Sequence, residues 1–364
     1  MPAIEEALDG RSSLLPVPAD DAAQAAALTQ ALRAGHEIAD TVAAVLSTSG
    51  TTGIPKGALL TATALLASAH ATHERLGGPG RWLLALPAYH VAGFQVLVRS
   101  AVAGTTPVAV PAGVLPADLA QAISAMGSGR RYASLVAAQL TKALDDPAAA
   151  QALSSLDAVL IGGGPMPAAV AEKAAAAGVP VIRTYGMSET AGGCVYDGVP
   201  LTGVQVALDP TGRISLGGPT VAAGYRNPTS PDPFAEPGWY RTDDIGSLDD
   251  SGALRVLGRV DDAISTGGLT VLPLIVEAAV ASHPAVVECA VFGVADEKLG
   301  QRVVAAVVVE DGATITLPEL RSHVAAELPA TAAPREMHVV AELPRRGIGK
   351  IDRRELIRRF AAGD

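Results

Sequence analysis

The amino-acid sequence predicts an α/β protein: a large layered α/β N-terminal domain, a small β subdomain at about residues 200–258, and an α+β C-terminal domain. Three observations lead there. From Thr41 to about Arg183, apolar strand-like runs alternate with Ala-rich helix-like stretches, the pattern of a layered α/β unit. Beyond Pro200 the texture changes to short strand-like pieces between Gly, Pro and Asp turns, as in TGVQVALDPTGRISLGG. From about Asp261 a fresh unit mixes both patterns, so the division expected is residues 1–260 and 261–364.

In the first unit the expected strands are Val42–Leu46, Trp82–Leu86, Thr106–Val110, Tyr132–Val136, Ala158–Ile161 and Val179–Ile182. Helical stretches such as Pro116–Met126 and Pro167–Ala177 separate them. In the last unit, helices are expected over Leu274–Ser282, over Leu317–Leu328 and from Asp352 onward. Strands are expected over Val286–Val294, Val303–Val309 and Met337–Val340.

At 364 residues, 49% of them hydrophobic but only 3% aromatic, Ala, Val and Leu must fill the core. The net charge of −10 argues against binding nucleic acid or an anionic membrane, both of which need a cationic surface. Cys194 and Cys289 stand far apart, without the spacing of a zinc site or a disulfide framework, and a reducing cytoplasm fits. The acidic start MPAIEEALDGR is unlike a signal peptide, and no apolar run reaches the length of a membrane span.

The strongest chemical signal is STSGTTGIPKG, Ser47 to Gly57, directly after an apolar strand. Ser47, Thr48, Ser49, Gly50, Thr51 and Thr52 offer backbone N–H groups and hydroxyls to phosphate oxygens, and Lys56 adds a positive charge. The Walker A spacing is not met.

This string, and the motifs after it in order, resemble the adenylate-forming superfamily of acyl-CoA synthetases, adenylation domains and luciferases. The resemblance implies an acid–thiol ligase using ATP, Mg²⁺ and coenzyme A on a small-molecule carboxylic acid, with the C-terminal domain as a mobile lid. In YGMSET, Tyr185 is then expected to stack on adenine beside Gly186, Ser188 to meet the α-phosphate region and Glu189 to help hold Mg²⁺. IGGGP places Gly163 and Gly164 against the base. GWYRTDDIG matches a stretch usually written Thr-Gly-Asp, which aligns Asp244 with the ribose-binding acid; Asp243, where glycine is usual, leaves either acid as the binder. In GRVDDAISTGG, Arg259 is the ribose-contacting arginine and Asp261 the hinge; in GIGKIDR, Lys350 is the lysine of the adenylation step.

LPAYHVAGF, Leu86 to Phe94, resembles the segment lining the acyl pocket, with His90 as a gate and Arg99 as a further candidate for binding a second substrate carboxylate. The other six histidines are read as structural. Because the phosphate loop begins already at Ser47, a reduced amino-terminal subdomain is expected. That compactness, together with the pocket stretch around His90, the string ISTGGLTVLP and the Ala-rich style, most resembles the short actinobacterial o-succinylbenzoate:CoA ligases of menaquinone biosynthesis. The alternatives are another aryl- or fatty-acid:CoA ligase, an adenylation domain that loads a carrier protein, and a nonenzymatic nucleotide sensor. The sequence leaves the oligomeric state, a homodimer included, open.

Overall fold

The computed structural model describes residues 1–48, 55–111, 115–310, 312–346 and 350–361. Its central feature is a seven-stranded sheet of β3 (Arg81–Leu84), β4 (Val108–Ala109), β5 (Arg131–Val136), β6 (Ala158–Gly162), β7 (Val181–Met187), β8 (Gly192–Tyr196) and β9 (Val199–Pro200). They lie in the order β4-β3-β5-β6-β7-β8-β9. Pairing is parallel from β4 to β7 and antiparallel from β7 to β9.

Strand alternation explains why these segments read as unbroken apolar runs: both faces are covered. Leu83, Leu135, Val159 and Ile161 pack on one face against Leu119, Ile123, Leu140 and Leu153. Those four come from the helices Pro116–Ala125, Ala137–Leu144 and Pro147–Ser154. Trp82, Tyr132, Leu160 and Tyr196 form a second core on the opposite face, with Val96 of the helix Val91–Val102.

The sequence expectation differs from the structure at two places that matter. The first strand, β1 (Val42–Leu46), lies outside this sheet and pairs antiparallel with β2 (Ala58–Thr61). The strand expected to end at Ile182 runs on through Met187, because Thr184 to Met187 pair with β8.

The next sheet is antiparallel, in the order β10 (Gln205–Leu208), β11 (Arg213–Gly217), β12 (Trp239–Leu248) and β13 (Leu254–Arg259). The last large sheet runs β15 (Leu269–Val271), β14 (Ile264–Thr266), β17 (Gly300–Val309), β16 (Val286–Asp296), with β18 (Glu336–Val339) parallel to β17. One face carries Val291, Val303, Ala305 and Val307 against Val280 and Leu320 of the helices Pro273–Ala281 and Leu317–Glu327. Phe292, Val304 and Ala306 face Leu356 of the final helix, Arg353–Ala361. The hairpin β19 (Arg345–Arg346) and β20 (Lys350–Ile351) precedes that helix. Among the described residues, no helix is long and apolar enough to cross a membrane.

Candidate active site

In an open parallel sheet the carboxyl ends of the strands, where helices turn away, form the natural ligand crevice. The motif residues gather there. Gly163 and Gly164 follow β6, Tyr185 and Gly186 lie near the carboxyl end of β7, and Ser188 to Thr190 form a short 3₁₀ turn directly after it. Gly163 has φ 84°, a conformation costly for other residues. At Gly186 a Cβ would stand 2.1 Å from the Gly192 carbonyl oxygen, so the close approach of β7 to β8 requires glycine.

The turn is fastened from several sides. The Met187 N–H donates to Thr190 Oγ1 at 3.0 Å, and Thr190 Oγ1 donates to the Gly192 carbonyl at 2.8 Å. Ser68 Oγ and Gln95 Nε2 each donate to the Ala191 carbonyl at 2.9 Å. Glu189, only 7% exposed, accepts from the Tyr225 hydroxyl at 2.6 Å. Burial, and then the Glu189 charge, hold that tyrosine far above its ordinary pKa, so it stays a donor. Lys56 Nζ lies 5.3 Å from the centroid of the Tyr225 ring. The end of the Ser47–Gly57 loop thus meets the Glu189 turn across one aromatic ring. The backbone from Ala222 to Asn227 stitches the two together: the Ala222 N–H donates to the Glu189 carbonyl at 2.9 Å and the Asn227 N–H to the Lys56 carbonyl at 2.9 Å.

A second cluster joins β7 to β12 and β13. Tyr185 Oη donates to Asp244 Oδ2 at 2.6 Å. Alternation along β12 turns Thr242 and Asp244 inward and leaves Asp243 half exposed on the other side. Burial raises the Asp244 pKa above the usual value, although its bonds from Tyr185 and Arg259 oppose the shift. Arg259 on β13 stands 3.5 Å from Asp244 Oδ1 and 3.5 Å from Asp243 Oδ2, and it grips Asp261 through two bonds of 2.7 and 2.9 Å. Burial pushes Asp261 up, but those bonds bring it below its ordinary value.

Comparison with known proteins then decides the family. The AMP-binding enzyme family matches residues 4–226, and the AMP-binding enzyme C-terminal domain matches residues 275–350. The chain belongs to the AMP-binding enzymes. It is 63% identical to a probable 2-succinylbenzoate–CoA ligase of Mycobacterium tuberculosis (strain ATCC 25618 / H37Rv), covering 99% of this chain and 95% of that protein. It is 33% identical to the 2-succinylbenzoate–CoA ligase of Geobacillus sp. (strain WCH70), over 87% of this chain and 69% of the other. Among solved structures it resembles the o-succinylbenzoate CoA synthetase of Bacillus subtilis in complex with the acyl-adenylate intermediate OSB-AMP. That match has TM-score 0.74 and 30% identity, and covers 86% of this chain and 69% of the other. ATP-bound MatB from Rhodopseudomonas palustris matches with TM-score 0.79 and 27% identity, over 90% and 69%.

In this AMP-binding enzyme the structure brings Lys56, Gly163, Gly164, Tyr185, Gly186, Ser188 and Glu189 to the strand ends, and joins Asp244, Arg259 and Asp261 through Tyr185. Ser47 and Thr48 follow β1, and Thr48 Oγ1 is buried without a partner among the described residues. Ser49, Gly50, Thr51 and Thr52, and the side chain of Lys350, lie outside the described residues.

The structure does not bring Arg99 to His90. His90 is the N-cap of the helix Val91–Val102, whereas Arg99 lies in its last turn, about 13 Å further along at 1.5 Å per residue. Arg99 is 3% exposed, packs 4.9 Å from the Trp82 ring centroid and donates to the Tyr196 hydroxyl at 3.3 Å. It is buried and is not a neighbour of the expected gate.

Sequence reasoning passed over Tyr225, Ser68, Gln95 and Arg213. Only Tyr225 carried a signal, an aromatic in the turn-rich AAGYRN. The others act through contacts distant in sequence that no local pattern records.

Proposed function

We propose that the chain is an ATP-dependent o-succinylbenzoate:CoA ligase that works through an acyl-adenylate. The observation that carries this reading is the likeness, over 99% of the chain, to the probable 2-succinylbenzoate–CoA ligase. The motif residues gathered at the strand ends support it.

In the first half-reaction a substrate carboxylate oxygen bonds to the α-phosphorus of ATP, and the bond to the pyrophosphate oxygen breaks. Negative charge on the phosphoryl oxygens must be met by positioned donors and cations rather than by a protein nucleophile. In this reading Lys56 and the loop from Ser47 hold the terminal phosphates, Ser188 meets the α-phosphate, and Lys350 supplies charge during adenylation. Tyr185, Gly186, Gly163 and Gly164 hold the adenine, while Asp244 and Arg259 hold the ribose. The donor set fits Mg²⁺, which takes one or two protein carboxylates beside phosphate oxygens and water: Glu189 is one buried carboxylate at the strand ends. Bound there, Mg²⁺ would add positive charge against the phosphate oxygens.

In the second half-reaction the coenzyme A sulfur bonds to the acyl carbon, the bond to the AMP oxygen breaks, and the thiol proton is released. Lys350 must leave the space that the pantetheine arm enters, so residues 261–364 swing about Asp261 as a lid. Cys194 and Cys289 are free and buried, which is compatible with a cytoplasmic enzyme.

After activation of the succinyl carboxylate, the ring carboxylate of o-succinylbenzoate stays ionised and needs donors. His90 is the candidate, as the N-cap residue of the helix Val91–Val102. The test compares kcat/KM for o-succinylbenzoate with that for 4-oxo-4-phenylbutanoate, which lacks only that group. A loss of about 10- to 150-fold is expected, the span of one charge-assisted hydrogen bond. Equal efficiency, or preference for benzoate or a fatty acid, would remove the substrate assignment and leave the adenylate chemistry standing.

A further inference from the structure

We infer that Arg213 is a positioning residue for nucleotide binding: by pairing with Asp243 it keeps Arg259 available to Asp244 and the ribose. The inference rests on the reading that Asp244 and Arg259 hold the nucleotide.

Three carboxylates surround Arg259, those of Asp243 and Asp244 at 3.5 Å each and that of Asp261 at 2.7 Å. These contacts take up four of the five N–H groups of the guanidinium, so each carboxylate competes with a ligand for it. Arg213, on the adjacent strand β11, changes the balance. Its Nη2 bonds to Asp243 Oδ1 at 2.5 Å and its Nε donates to the Thr242 carbonyl at 2.5 Å. Those two anchors fix the planar guanidinium along the outer side of β12, and the side chain is only 24% exposed. Asp243 therefore offers Arg259 a carboxylate that is already neutralised on one oxygen.

Thr242 carries the same grip inward. Its hydroxyl donates to the Ile214 carbonyl at 2.8 Å and accepts from the Asp244 N–H at 2.9 Å. Arg213 thus holds both the charge of Asp243 and the backbone that aims Asp244. Without Arg213, Asp243 becomes a full negative charge beside Arg259, competing with Asp244 for it and repelling an anionic nucleotide.

The experiment measures KM for ATP and kcat of acid-dependent pyrophosphate release in the full chain. The variants are Arg213→Met, Arg213→Lys, Asp243→Gly, the Arg213→Met/Asp243→Gly double, and Asp244→Ala as reference. Arg213→Met is expected to raise KM for ATP about fivefold with kcat within about twofold, as for a partly screened charge pair, and Arg213→Lys less. The double variant should return to the KM of Asp243→Gly alone, because the charge that Arg213 restrains is then gone. A purely structural arginine would give no such rescue. If Asp244→Ala raises KM while Arg213→Met does not, or if the double variant keeps the full Arg213→Met defect, the inference is overturned. If Asp244→Ala leaves KM unchanged, the nucleotide reading fails and takes the inference with it.

Discussion

Asp244 is buried, ionisable and set between a tyrosine and an arginine, so pH reads its role directly. Burial raises its pKa, and Asp243 and Asp261 add to the rise, while Tyr185 and Arg259 oppose it. As pH falls, Asp244 therefore takes up its proton earlier than an exposed aspartate, whose pKa is about 3.9. The protonated acid loses its charge and one acceptor site, so kcat/KM for ATP should fall on the acid side at a pH above that ordinary value. Asp243→Gly removes one of the charges that lift Asp244 and should move the acid limb downward. A limb that Asp243→Gly leaves in place, or moves up, would contradict this account of Asp244. In the sequence Asp243 and Asp244 were interchangeable acids in one motif. Strand alternation separates them, but which one faces inward depended on Tyr185, 59 positions away, and on β13.

At the scale of elements, the sequence was legible wherever burial on both faces or amphipathic spacing fixed a segment. β1 was read with both ends correct, and the helices Pro116–Ala125, Ala168–Ala176 and Leu317–Glu327 to within a residue or two. Partners were not legible: β1 was expected in the layered alternation, yet it pairs with a strand only four residues long. The short β2, β8 and β9 had too few residues to show a period, and pairing rather than propensity defines them. The final helix shows what pairing contributes. Arg353 at its start forms two bonds, of 2.7 and 2.8 Å, to Glu277, which is 8% exposed and also accepts from the Val291 N–H at 2.7 Å. Arg353→Met would leave a buried carboxylate without its cation. We expect a loss of about 2–4 kcal/mol, toward the low end because Arg353 keeps 21% of its side chain exposed. Urea unfolding followed through the C-terminal region checks this, with Arg353→Met/Glu277→Leu recovering much of the loss. Equal destabilisation in the single and double variants would rule out the charge as the cause.

For the whole molecule, the account is of one nucleotide site serving two reactions in succession. Lys350 acts only on phosphoryl oxygens in this scheme, so Lys350→Ala should slow adenylation by about 100-fold or more while transfer from a supplied acyl-adenylate to coenzyme A survives. Asp261→Pro should do the reverse, since a fixed φ at the pivot hinders rotation. Rapid-quench measurement of each half-reaction separates the two, and equal losses in both halves for either variant would contradict its assigned role. The motif order was enough to place the chain in its family, because the phosphate loop, YGMSET and GWYRTDDIG are contiguous strings. The contacts that assemble them, from Tyr225 to Glu189 and from Arg213 to Asp243, join residues 36 and 30 positions apart and were not legible.

An acyl-adenylate intermediate is tested most directly by a single-turnover experiment with o-succinylbenzoate, Mg²⁺ and ATP but no coenzyme A. The expected result is a burst of pyrophosphate close to one per enzyme, with AMP retained as the adenylate until coenzyme A is added and the thioester forms. Formation of ADP and phosphate, or no pyrophosphate until coenzyme A is present, would contradict it.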